Sequence, residues 1–344
     1  MIWPWCPEPL NPPFSISPSA NPQSTNPLLL VLRTLWIGGL WLCVLGQPAL
    51  SQAEPGPPPA PGNVLAASGG QLFEISPDGA ILKTWSVPDT APPQPVRDLV
   101  TDGASRVQIF HGASAPVLHT WDAARNAWLQ SPAPGWSTAD SEAWPAGIAP
   151  FGRHLFVTDM ATGGDGAPRG LLRFDADGYT SERFADGQDY VDLVLGQDFA
   201  LYALQHDQKT VDIFDPASRI RRSSVRLGTA VRAIAADHGG RLFGADADGR
   251  LYRFAAGGSV VQTLATGAVQ LIDLDLARDG RLIAGARSGH IVMTRRDLDT
   301  VRLVRLPEAD AVFVTFVESA RELAIHGDGF ERGHAGGWDG WIDR

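Results

Sequence analysis

The sequence has 344 residues and a formal net charge of −10 at pH 7, because 38 Asp and Glu residues outnumber 28 Lys and Arg residues. An acidic surface repels the phosphate backbone, so the composition argues against a general nucleic-acid-binding protein. The 37 Gly and 27 Pro residues suit many short strands joined by turns, and the length allows one large all-β domain or two average domains.

Residues 1–53 are predicted to be a signal-peptide region. Arg33 precedes an apolar run over residues 35–46, and Ser51, Gln52 and Ala53 resemble a signal-peptidase site. The run is shorter than the about 20 residues that a membrane-spanning helix needs. We therefore expect cleavage and no stable membrane anchor, with an uncleaved anchor as the alternative, and a periplasmic or secreted protein.

The first 27 residues are rich in Pro and carry no positive charge, which is unusual for a signal peptide. This suggests that translation starts near Val31 and that the upstream part is untranslated. Both cysteines, Cys6 and Cys43, lie in the signal region, so its removal would leave no disulfide and no cysteine-ligated metal site. Residues 54–62 form a Pro-rich linker.

A repeat with a period of forty residues organises the rest of the chain. Residues 241–254 indicate a strand, a turn from Asp246 to Gly249 and a second strand, and residues 281–294 repeat this pattern without a gap, so that Gly289 falls on Gly249. The unit recurs six times after residue 63, with apolar residues at alternate positions. A period near forty filled with short alternating strands is typical of β-propeller blades. We therefore predict an all-β, six-bladed β-propeller over residues 63–320 and a tail over residues 321–344.

The first blade lacks an inner strand, because the linker runs directly into Asn63. Residues 311–317 (AVFVTFV) form an unmatched strand after the last blade. Pairing this strand with the first blade would close the ring and cover both edges. Seven blades are the alternative, with residues 321–327 as a further strand.

Through its turn glycines and apolar alternation, this region resembles the bacterial propellers of the NHL, YVTN and SMP-30/gluconolactonase repeat group. The resemblance to SMP-30 implies a central divalent metal held by Glu, Asn and Asp, and hence a metal-dependent hydrolase as an alternative function. The inner strands at 231–237 (VRAIAAD) and 271–277 (LIDLDLA) do not show the matching Glu or Asn. Residues 325–338 resemble a DGFESG…W tail found on secreted proteobacterial proteins, which supports export.

Two irregularly long loops are predicted to lie on one face of the propeller, where second-to-third-strand loops and blade-to-blade loops meet. The first spans residues 130–150 and contains Trp136 and Trp144. The second spans residues 161–170, and the acidic and basic residues in or beside it are Asp159, Asp165 and Arg169. Exposed Trp suits a sugar ring or a protein partner, whereas the alternative is that both Trp side chains pack their loop onto the propeller.

The same face is expected to carry His206 and Asp207 from one blade, Asp246 and Asp248 from the next, and Arg287 from a third. Alternating carboxylates in a turn suit Ca²⁺. The same DADG sequence occurs at 175–178, on the predicted opposite face, which favours an ordinary hairpin turn instead.

The sequence supports binding more than catalysis. The eight His residues follow no metal spacing and share no blade position, so most are predicted to lie in turns or on the surface. No G-x-S-x-G, H-E-x-x-H or Gly-rich phosphate loop is present. We expect an exported, monomeric protein that acts as a binding or scaffold module. Its expected ligand is a carbohydrate or a protein, and Ca²⁺ is the one cofactor considered. A structural part of an envelope assembly and a metal-dependent hydrolase are the alternatives.

Overall fold

The computed structural model describes residues 58–88, 96–101, 106–111, 117–122, 127–132, 147–152, 154–159, 169–175, 181–307 and 310–317. The chain divides into two units, Met1–Gln52 and Ala53–Arg344, and every described residue belongs to the second. The predicted signal region, residues 54–57 of the linker and the tail lie outside the described residues. Within the described ranges, no helix suitable for crossing a membrane is present.

The described residues form twenty-four strands. In chain order they are β1 (Val64–Ser68), β2 (Gln71–Ile75), β3 (Ile81–Ser86), β4 (Val96–Thr101), β5 (Arg106–His111), β6 (Val117–Asp122), β7 (Ala127–Pro132), β8 (Ile148–Phe151), β9 (His154–Asp159), β10 (Gly170–Asp175), β11 (Ser181–Phe184), β12 (Tyr190–Leu195), β13 (Leu201–Gln205), β14 (Thr210–Phe214), β15 (Arg221–Arg226), β16 (Ala233–Ala236), β17 (Leu242–Ala245), β18 (Arg250–Phe254), β19 (Val260–Ala265), β20 (Leu271–Leu276), β21 (Arg281–Ala286), β22 (His290–Arg295), β23 (Arg302–Arg305) and β24 (Phe313–Phe316).

These strands form six antiparallel sheets of four strands, which are the blades of a six-bladed β-propeller. From the inside outward, blade 1 is β24-β1-β2-β3, and blades 2 to 6 are β4–β7, β8–β11, β12–β15, β16–β19 and β20–β23. The inner strands contact one another in the cyclic order β24, β4, β8, β12, β16, β20 and back to β24. The predicted fold class and number of blades are therefore confirmed.

The ring is closed by the C-terminal strand, as the sequence predicts. β24 pairs antiparallel with β1, with Val64 opposite Phe316 and Ala67 opposite Phe313. The amide of Gly62 donates to the Val317 carbonyl oxygen at 2.8 Å and extends this pairing. Residues 321–327, the predicted seventh-blade strand, lie outside the described residues.

Burial along each strand follows its place in the blade. The inner strand β20 is buried at five of its six positions, which accounts for its nearly continuous apolar sequence. The outer strand β19 is exposed at four of six positions. The second strand β17 is buried at all four positions. Alternation between exposed and partly buried positions is therefore a property of outer strands such as β19.

The forty-residue repeat corresponds to turns of the same geometry in neighbouring blades. Gly249 and Gly289 both have a left-handed backbone, with φ of 80° and 75°. A Cβ atom on Gly249 would lie 1.7 Å from the Ala268 carbonyl oxygen. Glycine is required at this turn because the backbone of the next connection passes directly over it.

The hydrophobic core consists of six clusters, each centred on the interface between two neighbouring blades. Phe156 of blade 3, for example, packs in one cluster with Tyr190 and Phe214 of blade 4. Blade 1 takes part in two such clusters, and β24 with the residue before it supplies Val314, Phe316 and Val312 to the one shared with blade 6. Ring closure thus completes two of the six interfaces.

Truncation tests the contribution of this closure. A chain ending at Asp310 loses β24, whereas a matched chain ending at Val317 keeps it. The segment from Val312 to Val317 contributes five buried apolar side chains, each contributing about 1.5–3 kcal/mol, and their sum is comparable with the roughly 5–15 kcal/mol stability of a domain. We expect only the longer chain to show cooperative thermal unfolding by circular dichroism; equal unfolding temperatures would contradict closure by β24.

Candidate functional site

Three aspartates lie on the inner strands of alternate blades, around the axis of the ring. They are Asp98 in blade 2, Asp192 in blade 4 and Asp273 in blade 6. Their side chains are 7%, 8% and 9% exposed. Buried carboxylates are rare unless they are hydrogen-bonded, so each requires a structural explanation.

Each carboxylate joins its own inner strand to the inner strand of the next blade. Oδ1 accepts a hydrogen bond from the amide of the following residue, as between Leu193 and Asp192 at 2.8 Å. Oδ2 accepts from an amide of the neighbouring blade: Ile148 at 2.6 Å, Ile234 at 2.7 Å and Val314 at 2.5 Å. The six blades are therefore linked as three pairs, and Val314 of the closing strand belongs to the last pair.

A local irregularity directs these side chains. The register between the first and second strands shifts at Val96/Asp98, at Tyr190/Asp192 and at Leu271/Asp273. A β-bulge of this kind turns the following side chain out of the normal alternation. The sequence signal is an Asp-Leu pair within an apolar strand, present at 98–99, 192–193 and 273–274. The Asp-Leu pair alone does not predict a hydrogen bond between blades, because the register shift that directs the side chain is visible only in the structure.

Burial raises the pKa of all three carboxyls. The pKa of Asp192 increases from 3.8 to about 7, although the Ile234 and Leu193 amides oppose the shift. The pKa values of Asp98 and Asp273 are also raised well above the ordinary value, by burial first and then by the negative charges of neighbouring aspartates. The three groups thus repel one another electrostatically around the axis.

These carboxylates are engaged in holding the blades together, since both oxygens of each accept a backbone amide hydrogen. Within the described ranges, no group of three or more His, Cys, Asp or Glu side chains is arranged to hold a metal ion. The axial aspartates therefore act as structural links between neighbouring blades.

One end of the ring carries the second-to-third-strand turns and the blade-to-blade connections. We define this loop face by the turns 206–209, 246–249 and 287–289 and by the connections 185–189, 227–232 and 266–270. Backbone hydrogen bonds join neighbouring members, such as Val231 to Gln208 at 2.8 Å and Arg287 to Gln270 at 3.0 Å. The loop face is thus a continuous hydrogen-bonded platform across blades 4, 5 and 6.

The structure brings some of the predicted binding residues to this face and not others. His206, Asp207 and Arg287 are exposed on it, in blades 4 and 6. Arg169 forms an ion pair with Asp189 at 2.9 Å. Trp136, Trp144 and Asp165 lie outside the described residues.

Asp159 is not presented to a ligand. Its side chain is 1% exposed, and its Oδ2 accepts a hydrogen bond from the Arg183 guanidinium at 2.5 Å. Asp159 ends β9 and Arg183 lies on the outer strand of the same blade, so this ion pair ties the blade together across its width.

Asp246 organises its own turn. Its Oδ1 accepts from the amides of Asp248 at 2.9 Å and Arg250 at 2.8 Å, and its Oδ2 accepts from the Tyr252 hydroxyl at 2.7 Å. Asp248 lies 3.3 Å from the Arg250 guanidinium and is 71% exposed. The two carboxylates thus have different surroundings, and the geometry is that of a hairpin turn closed by an aspartate.

Two histidines depart from the expected surface placement. His111 and His119 are 3% and 1% exposed, and their ring centroids are 4.9 Å apart. They lie on adjacent strands of blade 2, eight positions apart in the sequence. The sequence did not reveal this pair, because it follows no metal-binding spacing and only the register of β5 against β6 brings the rings together.

The sequence matches no protein-family model and no curated protein. Many solved structures share the fold. The crystal structure of a Nidogen/Laminin complex has a TM-score of 0.58 and 14% identity, covering 75% of this chain and 98% of that chain. A protein of unknown function from Bacteroides caccae has a TM-score of 0.51 and 12% identity, covering 74% and 99%. A streptogramin B lyase structure has a TM-score of 0.47 and 14% identity, covering 75% and 94%. At these identities the likeness shows the β-propeller fold alone.

The raised pKa of Asp192 predicts a pH dependence of stability. Between pH 3.8 and about 7 the unfolded chain releases this proton while the folded chain keeps it, so the free energy of unfolding falls as pH rises, by roughly 4 kcal/mol for one group. Asp192→Asn imitates the protonated state and should flatten the slope measured by urea denaturation from pH 4 to pH 7. The exposed substitution Asp297→Asn serves as control. If the slope of unfolding free energy against pH were unchanged in Asp192→Asn, this explanation would be wrong.

The turn at residues 246–249 contains two carboxylates, Asp246 and Asp248, and their removal should have unequal effects on stability. Asp246→Ala removes the acceptor of the Tyr252 hydroxyl and of two amides and should cost about 1–3 kcal/mol, whereas Asp248→Ala should change stability by less than about 0.5 kcal/mol. Thermal unfolding with 1 mM Ca²⁺ or with a chelator distinguishes the alternatives. A Ca²⁺-dependent rise in unfolding temperature, lost in both variants, would instead establish a calcium site.

Proposed function

We propose that this protein is an exported propeller that binds a carbohydrate or a protein partner on its loop face, acting as a binding or scaffold module. The proposal includes membership of the NHL-like repeat group and a periplasmic or secreted location, for which the N-terminal signal pattern is the argument. The observation that supports it best is the hydrogen-bonded platform across blades 4, 5 and 6.

A platform of this kind lowers the cost of binding. Its turns are connected by backbone hydrogen bonds, such as His206 to Asp189 at 2.8 Å and Gln270 to Ala247 at 3.0 Å. A ligand therefore meets a surface that is already ordered, and little conformational entropy is lost on association. Loops that a rigid scaffold holds in place are common binding sites.

The charges on the platform favour a polar partner over an apolar one. Exposed polar and charged side chains lie on it, among them His206 and Asp207 in blade 4 and Arg287 in blade 6. Arg232 immediately precedes β16, the inner strand of blade 5, and is half-buried. Burial, together with the charge of Arg287, lowers the pKa of Arg232. Two guanidinium groups thus approach each other from adjacent blades. Such a mixed surface suits hydrogen bonds and ion pairs with a protein or a sugar.

The competing function is a metal-dependent hydrolase. In the described part of the chain, the inner-strand carboxylates that would have to bind the ion accept backbone hydrogen bonds instead. This observation favours binding as the main proposal.

Paired substitutions at the two ends of the ring test the location of binding. His206→Ala and Arg287→Ala alter the loop face. Their controls, His238→Ala and Arg278→Ala, remove the same side-chain types from exposed turns at the opposite end of blades 5 and 6. We expect loop-face variants to lose at least about tenfold in affinity for a ligand identified by glycan array or by affinity capture with defined envelope proteins, since central interface residues each contribute about 1.4 kcal/mol or more.

Trp136→Ala and Trp144→Ala extend the same test to the long loop. Equal losses in the His238 and Arg278 controls would contradict a site on the loop face. Turnover of a lactone by the metal-loaded protein, abolished by a chelator, would replace the proposal with the hydrolase.

A further inference from the structure

The outer strand of blade 5 is an edge that the fold leaves open to pairing. β19 is the last strand of its sheet, and β18 is its one strand partner in the described part of the chain. The outer side of such a strand carries N–H and C=O groups that can pair with a further strand. The proposed function concerns the loop face and does not account for this edge.

The outer strands of the other five blades carry residues that disfavour pairing with another chain. Charged side chains and proline on an edge strand have this effect. These residues are Lys83 in β3, Pro132 in β7, Glu182 and Arg183 in β11, Arg221, Arg222 and Arg226 in β15, and Arg302 and Arg305 in β23. The sequence of β19, VVQTLA, contains neither a charge nor a proline.

The chain on both sides of β19 is also uncharged. No charged residue occurs from Phe254 through Ile272, although 19% of the whole chain is charged. Within this segment, Val260 and Val261 are 41% and 57% exposed. Exposed β-branched apolar side chains are unfavourable in water and favourable against a neighbouring strand. The edge of blade 5 therefore has the composition of an interaction surface.

The hydrogen-bonding register identifies the backbone groups that face outward. The amide of Thr266 donates to the Gly249 carbonyl oxygen at 3.0 Å. Hydrogen-bonded and non-hydrogen-bonded pairs alternate along an antiparallel ladder, and Thr263 and Ala265 are an odd number of positions from Thr266. These two residues therefore direct their N–H and C=O groups away from β18. Both are exposed.

We propose that the β19 edges of two copies of this chain pair antiparallel and form a symmetric dimer. A two-fold axis at Thr263 places this residue opposite itself, so that its outward N–H and C=O groups exchange two hydrogen bonds with the other copy. Val261 then lies beside Ala265 of the other copy. The two four-stranded sheets of blade 5 become one continuous sheet. This dimer is an alternative to the monomer expected from the sequence.

A second copy fits the edge because the pairing brings no charges together. Val261 is covered by Ala265, and Thr263 faces Thr263, which is a favourable pair across antiparallel strands. The nearest arginines on the neighbouring strand, Arg250 and Arg253, are opposite Ala265 and Gln262. β19 therefore separates them from the other copy.

The same arrangement is unfavourable at the outer strand of blade 4. Ser224 of β15 occupies the position of Thr263, because it is opposite Asp212 as Thr263 is opposite Tyr252. A two-fold axis at Ser224 would place Arg222 beside Arg226 of the other copy. Like charges at such positions are destabilising, so the charges on the outer strands direct pairing toward blade 5.

The test is sedimentation velocity of the full chain over a range of concentrations, with Cys6→Ser and Cys43→Ser introduced so that thiols do not link the copies. One strand pair gives a small interface, so we expect a dissociation constant of about 10–100 µM. Val261→Lys places a charge on the edge and should weaken the dimer at least about tenfold.

Leu82→Lys is the matched control. Leu82 lies at the corresponding register shift of β3 in blade 1 and is 52% exposed. This variant should form the dimer as the parent chain does. Circular dichroism establishes that both lysine variants are folded.

Cysteine cross-linking tests the register of the pair. Opposite residues in a hydrogen-bonded pair have Cα atoms about 5.5 Å apart, which a disulfide can span. Thr263→Cys should therefore form a disulfide-linked dimer under mild oxidation. Thr84→Cys, at the equivalent position of β3, should not.

Three results would each overturn the proposal. They are a parent chain that stays monomeric up to about 500 µM, well above the expected dissociation constant, equal dimer affinity in the two lysine variants, and equal cross-linking of the two cysteine variants. None of these results depends on whether the loop face binds a ligand, so failure of the dimer and failure of the proposed function are distinguishable.

Discussion

The hydrogen bonds from Asp98, Asp192 and Asp273 to the amides of the next blade are the constraint on which the rest of the structure depends. No β-ladder continues from one blade into the next, because each sheet ends at its inner strand. The three carboxylates supply that connection on every second interface, while apolar packing connects all six. Removing such groups from water is unfavourable, and their raised pKa values are the measure of that cost.

Ring closure depends on one of these aspartate–amide hydrogen bonds. Val314 of β24 is both a strand partner of Ala66 in blade 1 and the amide donor to Asp273 in blade 6. One short segment near the C-terminal end of the described region therefore completes two blade interfaces at once. Because its contacts with blade 1 join residues more than 240 positions apart, they form only when the whole ring is in place, and they make the blades interdependent.

The framework leaves individual positions free to vary from blade to blade. At one level of the second, third and fourth strands, blade 4 has Gln205, Asp212 and Ser224 in a closed network, while blade 2 has His111, His119 and Gln130 in a region lined by indole rings. The loop face varies in the same way, through turns of different length and charge on a common platform. Backbone pairing sets the architecture in both cases, so the side chains at equivalent positions can differ without a change of fold.

The sequence alone determined the fold class, the six blades and the closing strand, because a forty-residue period, turn residues such as Gly249 and apolar alternation are local properties of the chain. It also placed His206, Asp207 and Arg287 at one end of the ring, since antiparallel connectivity dictates which turns share a face. Only the tertiary structure showed that Asp159 is buried against Arg183, that Asp246 is engaged by Tyr252, and that His111 meets His119. These relations depend on strand register and on packing between blades, which bring together residues whose spacing in the sequence carries no signal.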